Sequence, residues 1–138
     1  MDNVVIVGGG PGGYEAALVA RQLGGEVTLI ERRGLGGSAV LTDVVPSKTL
    51  IAASEVMAEI RRAEDVGLRL RPGLDGPAAA VEVDLDRVNR RIRVLARAQS
   101  VDIRDRLLAE GVRLIDGSGR LDGTHRVIAT TGDGEEEL

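Results

Sequence analysis

A glycine-rich turn directly behind the first apolar run constrains this 138-residue chain more than any other feature. Residues 3–7 form a β-branched stretch typical of a buried strand, and the pattern Gly8-x-Gly10-x-x-Gly13 follows. In this pattern the first glycine permits a tight turn, the second lets a pyrophosphate approach the backbone, and the third lets helix and strand pack closely. The free N–H groups and the dipole of the following helix favour an anion at its N-terminus.

The residues behind this turn complete a βαβ unit. A small-residue helix is predicted over residues 12–23 and a second strand over residues 26–31. The helix supplies the crossover connection that two parallel strands require. Glu31 ends this strand, where an acid can accept hydrogen bonds from both hydroxyls of an adenosine ribose. The fingerprint fits NAD and FAD equally well. Glu31 disfavours NADP because its carboxylate would repel a 2′-phosphate, and the neighbouring Arg32 and Arg33 are interpreted as solvent-facing.

The remaining chain predicts further elements of an α/β fold. A glycine-rich loop leads to Pro46, which is expected to open a helix over residues 46–63. An irregular stretch is expected over residues 66–83, then an amphipathic helix over 86–110, a strand over 112–116, and a hairpin or small antiparallel sheet around 120–121 and 127–129. The turn at residues 131–134 is followed only by an acidic tail. We therefore predict a Rossmann-like domain, a parallel sheet with flanking helices, truncated before completion.

Composition excludes several classes of function. The net charge of −4 argues against nucleic acid as a partner, and Arg90, Arg91, Arg93 and Arg97 are interpreted as a solvated helix face. The absence of cysteine excludes disulfides, thiolate metal sites and thiol catalysis within the chain, and no metal site is predicted. With no apolar run of roughly 20 residues, no membrane span is predicted, and we expect a cytoplasmic protein. The only histidine, His125, is expected at the surface.

The stretches VVIVGGGPGGYEAALVARQLGGEVTLIE and LGGSAVLTDVVPSKTLIAAS resemble the N-terminus of the flavoprotein pyridine-nucleotide disulfide oxidoreductases, which include lipoamide dehydrogenase. The resemblance runs through the whole chain and covers about the first third of a family subunit. It implies that the fingerprint binds FAD. It also implies that domains for the nicotinamide cofactor, NAD(P)H, and for dimerisation lie outside residues 1–138, with a homodimer as the full-length protein.

The resemblance assigns a role to each matched position. The residues implied to hold the FAD pyrophosphate are Gly8, Gly10, Pro11, Gly12 and Gly13. Glu31 would bind the adenosine ribose, with the adjacent Arg32 included among the cofactor-binding positions, and Gly119 would contact the adenine end. The positions implied to line the path toward the flavin are Gly36, Gly37 and Ser38. Lys48, the only lysine among 18 basic residues, would lie beside the reactive edge of the isoalloxazine, where a cation stabilises negative charge on reduced flavin.

The sequence departs from the family at the redox disulfide. Where the family has two cysteines, this chain has Ala39 and Val44, so electrons cannot pass through a disulfide and lipoamide or glutathione reduction is excluded. The resemblance is closest to NAD(P)H quinone reductases that lack the cysteine pair, which implies a small-molecule, quinone-type electron acceptor. The alternatives are a non-catalytic FAD- or nucleotide-binding fragment and an NAD-binding regulator. Lys48 and the double-glycine loop argue against the regulator.

Overall fold

The computed structural model of this protein describes residues 3–67 and 83–138. Its helices are α1 (Pro11–Gln22), α2 (Gly37–Leu41), α3 (Val44–Arg62), which continues into a 3-10 turn (Ala63–Val66), and α4 (Leu85–Ala109). Its strands are β1 (Asn3–Val7), β2 (Glu26–Glu31), β3 (Arg113–Asp116), β4 (Ser118–Leu121), β5 (Val127–Thr131) and β6 (Gly134–Glu137). The irregular segment predicted for residues 66–83 lies, apart from its ends, outside the described residues.

The first three strands form a parallel sheet in the order β1-β2-β3. Val7 lies opposite Ile30 at the end of β1, and Glu31 lies opposite Asp116 at the end of β3. The strands therefore finish at one common edge, where ligands of open α/β sheets bind. The predicted βαβ unit and Rossmann-like α/β fold are confirmed, with boundaries within one or two residues of those expected.

A second, antiparallel sheet has the order β4-β5-β6 and packs against the parallel one. Ile30 and Ile115 from the parallel sheet form a buried cluster with Val127 and Ala129 from β5. The backbone N–H of Gly117 donates a 3.0 Å hydrogen bond to the carbonyl of Glu31, so the connection into β4 crosses directly over the end of β2. The small antiparallel sheet expected from the sequence is confirmed.

The core on the helical side is built from aliphatic side chains, as expected for a chain with one aromatic residue. Leu29 and Leu107 are 1% and 0% exposed, and Ala17 of α1 packs in the same cluster. Tyr14 is only partly buried against it. Arg90, Arg91, Arg93 and Arg97 of α4 are exposed, as the charge pattern predicted, and His125 is exposed as expected.

The expected loop before Pro46 is partly helical, which corrects the sequence interpretation. Residues 37–41 form the short helix α2, and α3 begins at Val44, two residues earlier than expected. Pro46 is compatible with the first turn of α3 because N–H groups there have no partner within the helix, so a residue without an N–H loses nothing. A five-residue helix is too short for its periodicity to be seen in the sequence.

The expectation that the turn at residues 131–134 leads to no further element is wrong. The acidic residues behind it form β6, which pairs with β5 from Thr131 opposite Gly134 to Ile128 opposite Glu137. Glu136 makes an ion pair of 2.7 Å with Arg113, and Glu137 lies 3.7 Å from Arg126. These two arginines offset the repulsion between neighbouring carboxylates, so the segment expected to be an acidic tail forms an ordered edge strand.

Candidate functional site

The glycine-rich turn joins the end of β1 to the start of α1. Gly8 adopts φ +103°, a left-handed conformation that residues with a side chain rarely adopt, and its N–H donates a 2.8 Å hydrogen bond to the carbonyl of Ile30. A Cβ atom on Gly13 would lie 1.9 Å from the carbonyl oxygen of Gly8. The first and third glycines therefore have the turn-forming and close-packing roles predicted from their spacing.

The N-terminus of α1 forms an open cradle of backbone donors. Within residues 3–67 and 83–138, the N–H groups of Gly10, Gly12 and Gly13 have no hydrogen-bond acceptor. A Cβ atom on Gly10 or Gly12 would meet nothing within 4 Å, so the space beside these two residues is open. Free donors and the positive end of the helix dipole favour an anion such as a diphosphate at this position.

A second glycine segment, residues 34–37, packs its backbone directly on the first. The N–H of Gly36 donates a 2.8 Å hydrogen bond to the carbonyl of Gly9, and a Cβ atom on Gly37 would lie 3.0 Å from Cα of Gly10. Both Gly36 and Gly37 have positive φ, at +92° and +57°. The structure therefore brings together the two glycine segments that the sequence proposed as parts of one site, and Ser38 follows in α2 with its side chain exposed.

Glu31 stands beside this turn at the end of β2. Its Oε2 accepts a 2.8 Å hydrogen bond from the N–H of Gly9, and its Oε1 accepts one of 2.7 Å from the N–H of Arg33. Burial by itself would raise the pKa of the Glu31 carboxyl. Hydrogen bonds from backbone N–H groups outweigh this effect of burial and hold the pKa below its ordinary value. In decreasing order of effect, the donors are Arg33, Gly9, Arg32 and Gly34. Glu31 is therefore a carboxylate at neutral pH.

A cleft of about 340 Å³ opens at the common edge of the parallel sheet. Its volume is within the range of small-molecule sites, about 300–1,000 Å³. The residues that line it are Val7, Gly8, Ile30, Glu31, Arg32, Gly117, Ser118 and Gly119. Four of the residues proposed from the sequence (Gly8, Glu31, Arg32 and Gly119) thus surround one cavity.

Gly119 allows β4 to pass close to the ends of the parallel strands. A Cβ atom at this position would lie 2.9 Å from Cδ1 of Ile30 and 2.9 Å from Cγ2 of Val7. Val7 and Ile30 were not proposed as site residues. Their position as the last apolar residues of two parallel strands could have indicated them, because such strand ends meet at the ligand-binding edge. Ser118 has no comparable signal in the sequence.

Lys48 does not line this cleft. It is exposed in the second turn of α3 and lines a groove of about 540 Å³ between α3 and α4, together with Arg87 and Arg91. A further groove of about 720 Å³ lies between the same two helices. These grooves are larger than the cleft, yet they include neither Glu31 nor any glycine of the fingerprint turn, whereas Gly8 and Glu31 both line the cleft. Chemistry rather than size identifies the candidate site.

The two positions that replace the family cysteines lie in different helices. Ala39 is half-buried in α2, and Val44 is the first residue of α3 and is 42% exposed. Neither side chain can donate, accept or transfer an electron pair. In the part of the chain that the structure describes, no group of three His, Cys, Asp or Glu residues could hold a metal ion, and no helix is long and apolar enough to cross a membrane.

Comparison with known proteins agrees with this geometry. Residues 2–136 match the family model described as pyridine nucleotide-disulphide oxidoreductase. The chain is 46% identical over 141 residues to a protein of Mycobacterium tuberculosis named NAD(P)H dehydrogenase (quinone), with 96% of this chain and 27% of that protein covered. It is 34% identical to a dihydrolipoyl dehydrogenase of Zymomonas mobilis, with 99% of this chain and 28% of that protein covered.

A solved structure gives the same result for the fold. The crystal structure of LpdA from Mycobacterium tuberculosis superposes with a TM-score of 0.86 at 41% identity, covering all of this chain and 30% of that one. The chain therefore spans between a quarter and a third of the length of the relatives that it matches. On its sequence, its fold and the arrangement of its glycine-rich turn, the chain belongs to the pyridine nucleotide-disulphide oxidoreductase family, a family of flavin-dependent oxidoreductases.

Proposed function

We propose that this chain is the FAD-binding part of a flavin-dependent NAD(P)H oxidoreductase that passes electrons to a quinone-type acceptor without a redox disulfide. The observation that carries the proposal is the pairing of a donor cradle with an acceptor at one sheet edge. Gly10, Gly12 and Gly13 offer free N–H groups, and the carboxylate of Glu31 lies beside the same turn. A dinucleotide needs both, because its pyrophosphate accepts hydrogen bonds and its ribose donates them.

The residues present fit the adenosine half of FAD. A carboxylate has about four lone-pair sites, and Glu31 accepts hydrogen bonds from the N–H groups of Gly9 and Arg33. The ribose hydroxyls would use the sites that these two hydrogen bonds leave, in place of the weaker approach of the N–H groups of Arg32 and Gly34. Arg32 and Gly119, which line the same cleft, would flank the adenine end.

The flavin half would extend along the second glycine segment. Gly36, Gly37 and Ser38 would line its path, since the backbone of this segment contacts that of the pyrophosphate turn. Lys48 would stand by the reactive edge of the flavin, where its ammonium group would stabilise negative charge. When bound, FAD supplies two-electron transfer between a nicotinamide and an acceptor.

The quinone-type acceptor is proposed from the two positions without sulfur and from the name of one relative. Ala39 and Val44 provide no thiolate to reduce a disulfide substrate, whereas a quinone needs none. The most similar of the relatives described above is named NAD(P)H dehydrogenase (quinone). Residues 1–138 would then be an incomplete FAD-binding domain, and the nicotinamide-binding and dimerisation domains of a homodimer would lie in further sequence.

Flavin binding tests the proposal. The purified chain should quench FAD fluorescence on titration. It should also bind ADP more tightly than nicotinamide mononucleotide, because the proposed site contacts the adenosine half of a dinucleotide. Replacing Glu31 with Ala should weaken FAD binding by about 1.5–3 kcal/mol, the range for hydrogen bonds to charged groups. Glu26→Ala, which removes an exposed carboxylate from the other end of β2, is the matched control. FAD affinity that is equal in the parent and both variants would contradict the proposal.

The second candidate function is a non-catalytic FAD- or nucleotide-binding fragment of a dihydrolipoamide dehydrogenase-like protein. The coverage of only 27% of a similar enzyme favours it for the 138-residue chain on its own. The two candidates differ in one measurement. The second candidate holds for the isolated chain if the chain binds FAD but NAD(P)H does not reduce that FAD. The first candidate holds for the protein if a longer polypeptide containing these residues oxidises NAD(P)H.

A further inference from the structure

The peptide groups on both sides of Gly9 are held by the segment that follows β2. Its N–H donates to Oε2 of Glu31 at 2.8 Å, and its carbonyl accepts from the N–H of Gly36 at 2.8 Å. Gly9 is buried, and a Cβ atom on it would lie 2.6 Å from Cδ2 of Leu35. The residue in the middle of the glycine-rich turn is therefore fixed by contacts that lie at least 22 positions away along the chain.

This fixation acts directly on the donor cradle. Gly9 immediately precedes Gly10, which is the N-cap of α1 and supplies one of the free N–H groups. The peptide between these two residues is planar, so the hydrogen bond from Gly36 to the carbonyl of Gly9 also sets the direction of the N–H of Gly10. The hydrogen bond to Glu31 holds the preceding peptide, between Gly8 and Gly9, and so fixes the residue to which the Gly10 peptide is attached. Glu31 is itself held, since its Oε1 accepts from the N–H of Arg33 at 2.7 Å.

We propose that Glu31 is a positioning residue for the pyrophosphate cradle, in addition to its proposed contact with the ribose. The inference rests on the proposed function and deepens it. A glycine turn has many accessible conformations, and ordering it on binding would reduce affinity. Glu31 and Gly36 order it beforehand, so the diphosphate meets donors that already point toward it.

The charge of Glu31 and its hydrogen bond to Gly9 have opposite effects on the affinity for an anion. The carboxylate of Glu31 repels a nearby anion, whereas its hydrogen bond to Gly9 organises the donors that bind the anion. Glu31→Ala and Glu31→Gln both remove the charge, but only the Gln side chain keeps an oxygen that can accept from the N–H of Gly9. The difference between these two variants therefore isolates the hydrogen bond.

The experiment measures two quantities on the whole chain. Amide hydrogen exchange at Gly9 reports whether the turn is held, and titrations with inorganic pyrophosphate and with ADP report affinity without and with a ribose. The same measurements on Glu26→Ala control for loss of a carboxylate from β2. We expect Gly9 to exchange roughly two- to tenfold faster in Glu31→Ala than in Glu31→Gln, and pyrophosphate to bind more weakly to the Ala variant by a similar factor.

The inference is overturned if Gly9 exchanges at the same rate in the Ala variant, the Gln variant and the parent, or if pyrophosphate affinity is equal in the two variants while only ADP affinity changes. In the second case Glu31 would be a ribose ligand alone. Failure of the proposed function has a different signature: the parent would bind neither FAD nor ADP. The exchange rate at Gly9 would still test whether Glu31 holds the turn.

Discussion

Gly13 approaches Gly8 so closely that a Cβ atom on Gly13 would lie 1.9 Å from the Gly8 carbonyl oxygen. The first turn of α1 therefore rests on the end of β1 with no room for a side chain. This contact fixes the helix N-terminus at the sheet edge, where the free N–H groups and the Glu31 carboxylate lie side by side. The third glycine of the fingerprint is therefore required for packing, in addition to the free N–H group that it offers to the cradle.

We predict that Gly13→Ala destabilises the chain by about 1–3 kcal/mol, because α1 must move away from β1 to accommodate the methyl group. Unfolding in urea gives the free energy directly. Gly12→Ala is the matched control: its methyl group meets nothing within 4 Å, and Ala is favoured over Gly in a helix by about 1 kcal/mol. Equal stability of the two variants would contradict the packing role.

Gly10→Val is predicted to separate folding from binding. Gly10 has φ −69°, which any residue adopts, and its surroundings are open, so the free energy of unfolding should change by no more than about 1 kcal/mol. The valine side chain would occupy the place proposed for the pyrophosphate and should abolish FAD binding. The check pairs urea unfolding with flavin titration. A folded variant that retains FAD would show that the pyrophosphate lies elsewhere.

The pH dependence of stability should reveal the hydrogen bonds of Glu31. Its pKa is lower in the folded protein than the ordinary value of 4.5, so deprotonation favours the folded state. The stabilisation should be fully present above pH 4.5 and disappear as the pH falls through the lower folded pKa. The measurement compares the unfolding free energies of the parent and Glu31→Gln from pH 7 downward, with Glu26→Gln as control. A difference in unfolding free energy between the parent and Glu31→Gln that grows as the pH falls would contradict the prediction.

A longer polypeptide containing this chain should reduce quinones or dyes with NAD(P)H and show no measurable lipoamide or glutathione reductase activity. Disulfide substrates are reduced by thiolate exchange, and neither Ala39 nor Val44 supplies sulfur. Assays with a quinone and with lipoamide side by side provide the test. Restoring the pair with Ala39→Cys and Val44→Cys should not by itself produce lipoamide turnover, because the resemblance to the family implies that an acid-base histidine from a domain outside residues 1–138 is also needed. Robust lipoamide reduction without quinone activity in the parent would overturn the prediction.

Local patterns in the sequence were sufficient to predict the βαβ unit and the glycine turn. A β-branched run, a spacing of three glycines and an acid at the end of the next run depend only on backbone freedom and on which residues a buried strand accepts. The long helices followed from apolar periodicity. Helix α2 and strand β6 did not, because five residues are too few to show a period and three adjacent glutamates resemble a solvated tail until Arg113 and Arg126 are placed beside them.

By itself the sequence determined the residue types of the candidate site: glycines that leave space, an acid that accepts hydrogen bonds, and two positions without sulfur. Only the tertiary structure decided how these residues contact one another. The hydrogen bond from Gly9 to Glu31 and the passage of Gly119 over Val7 and Ile30 join segments far apart in the chain. Such contacts depend on the register of the parallel strands and on the path of β4, which are properties of the whole fold and have no local signal in the sequence.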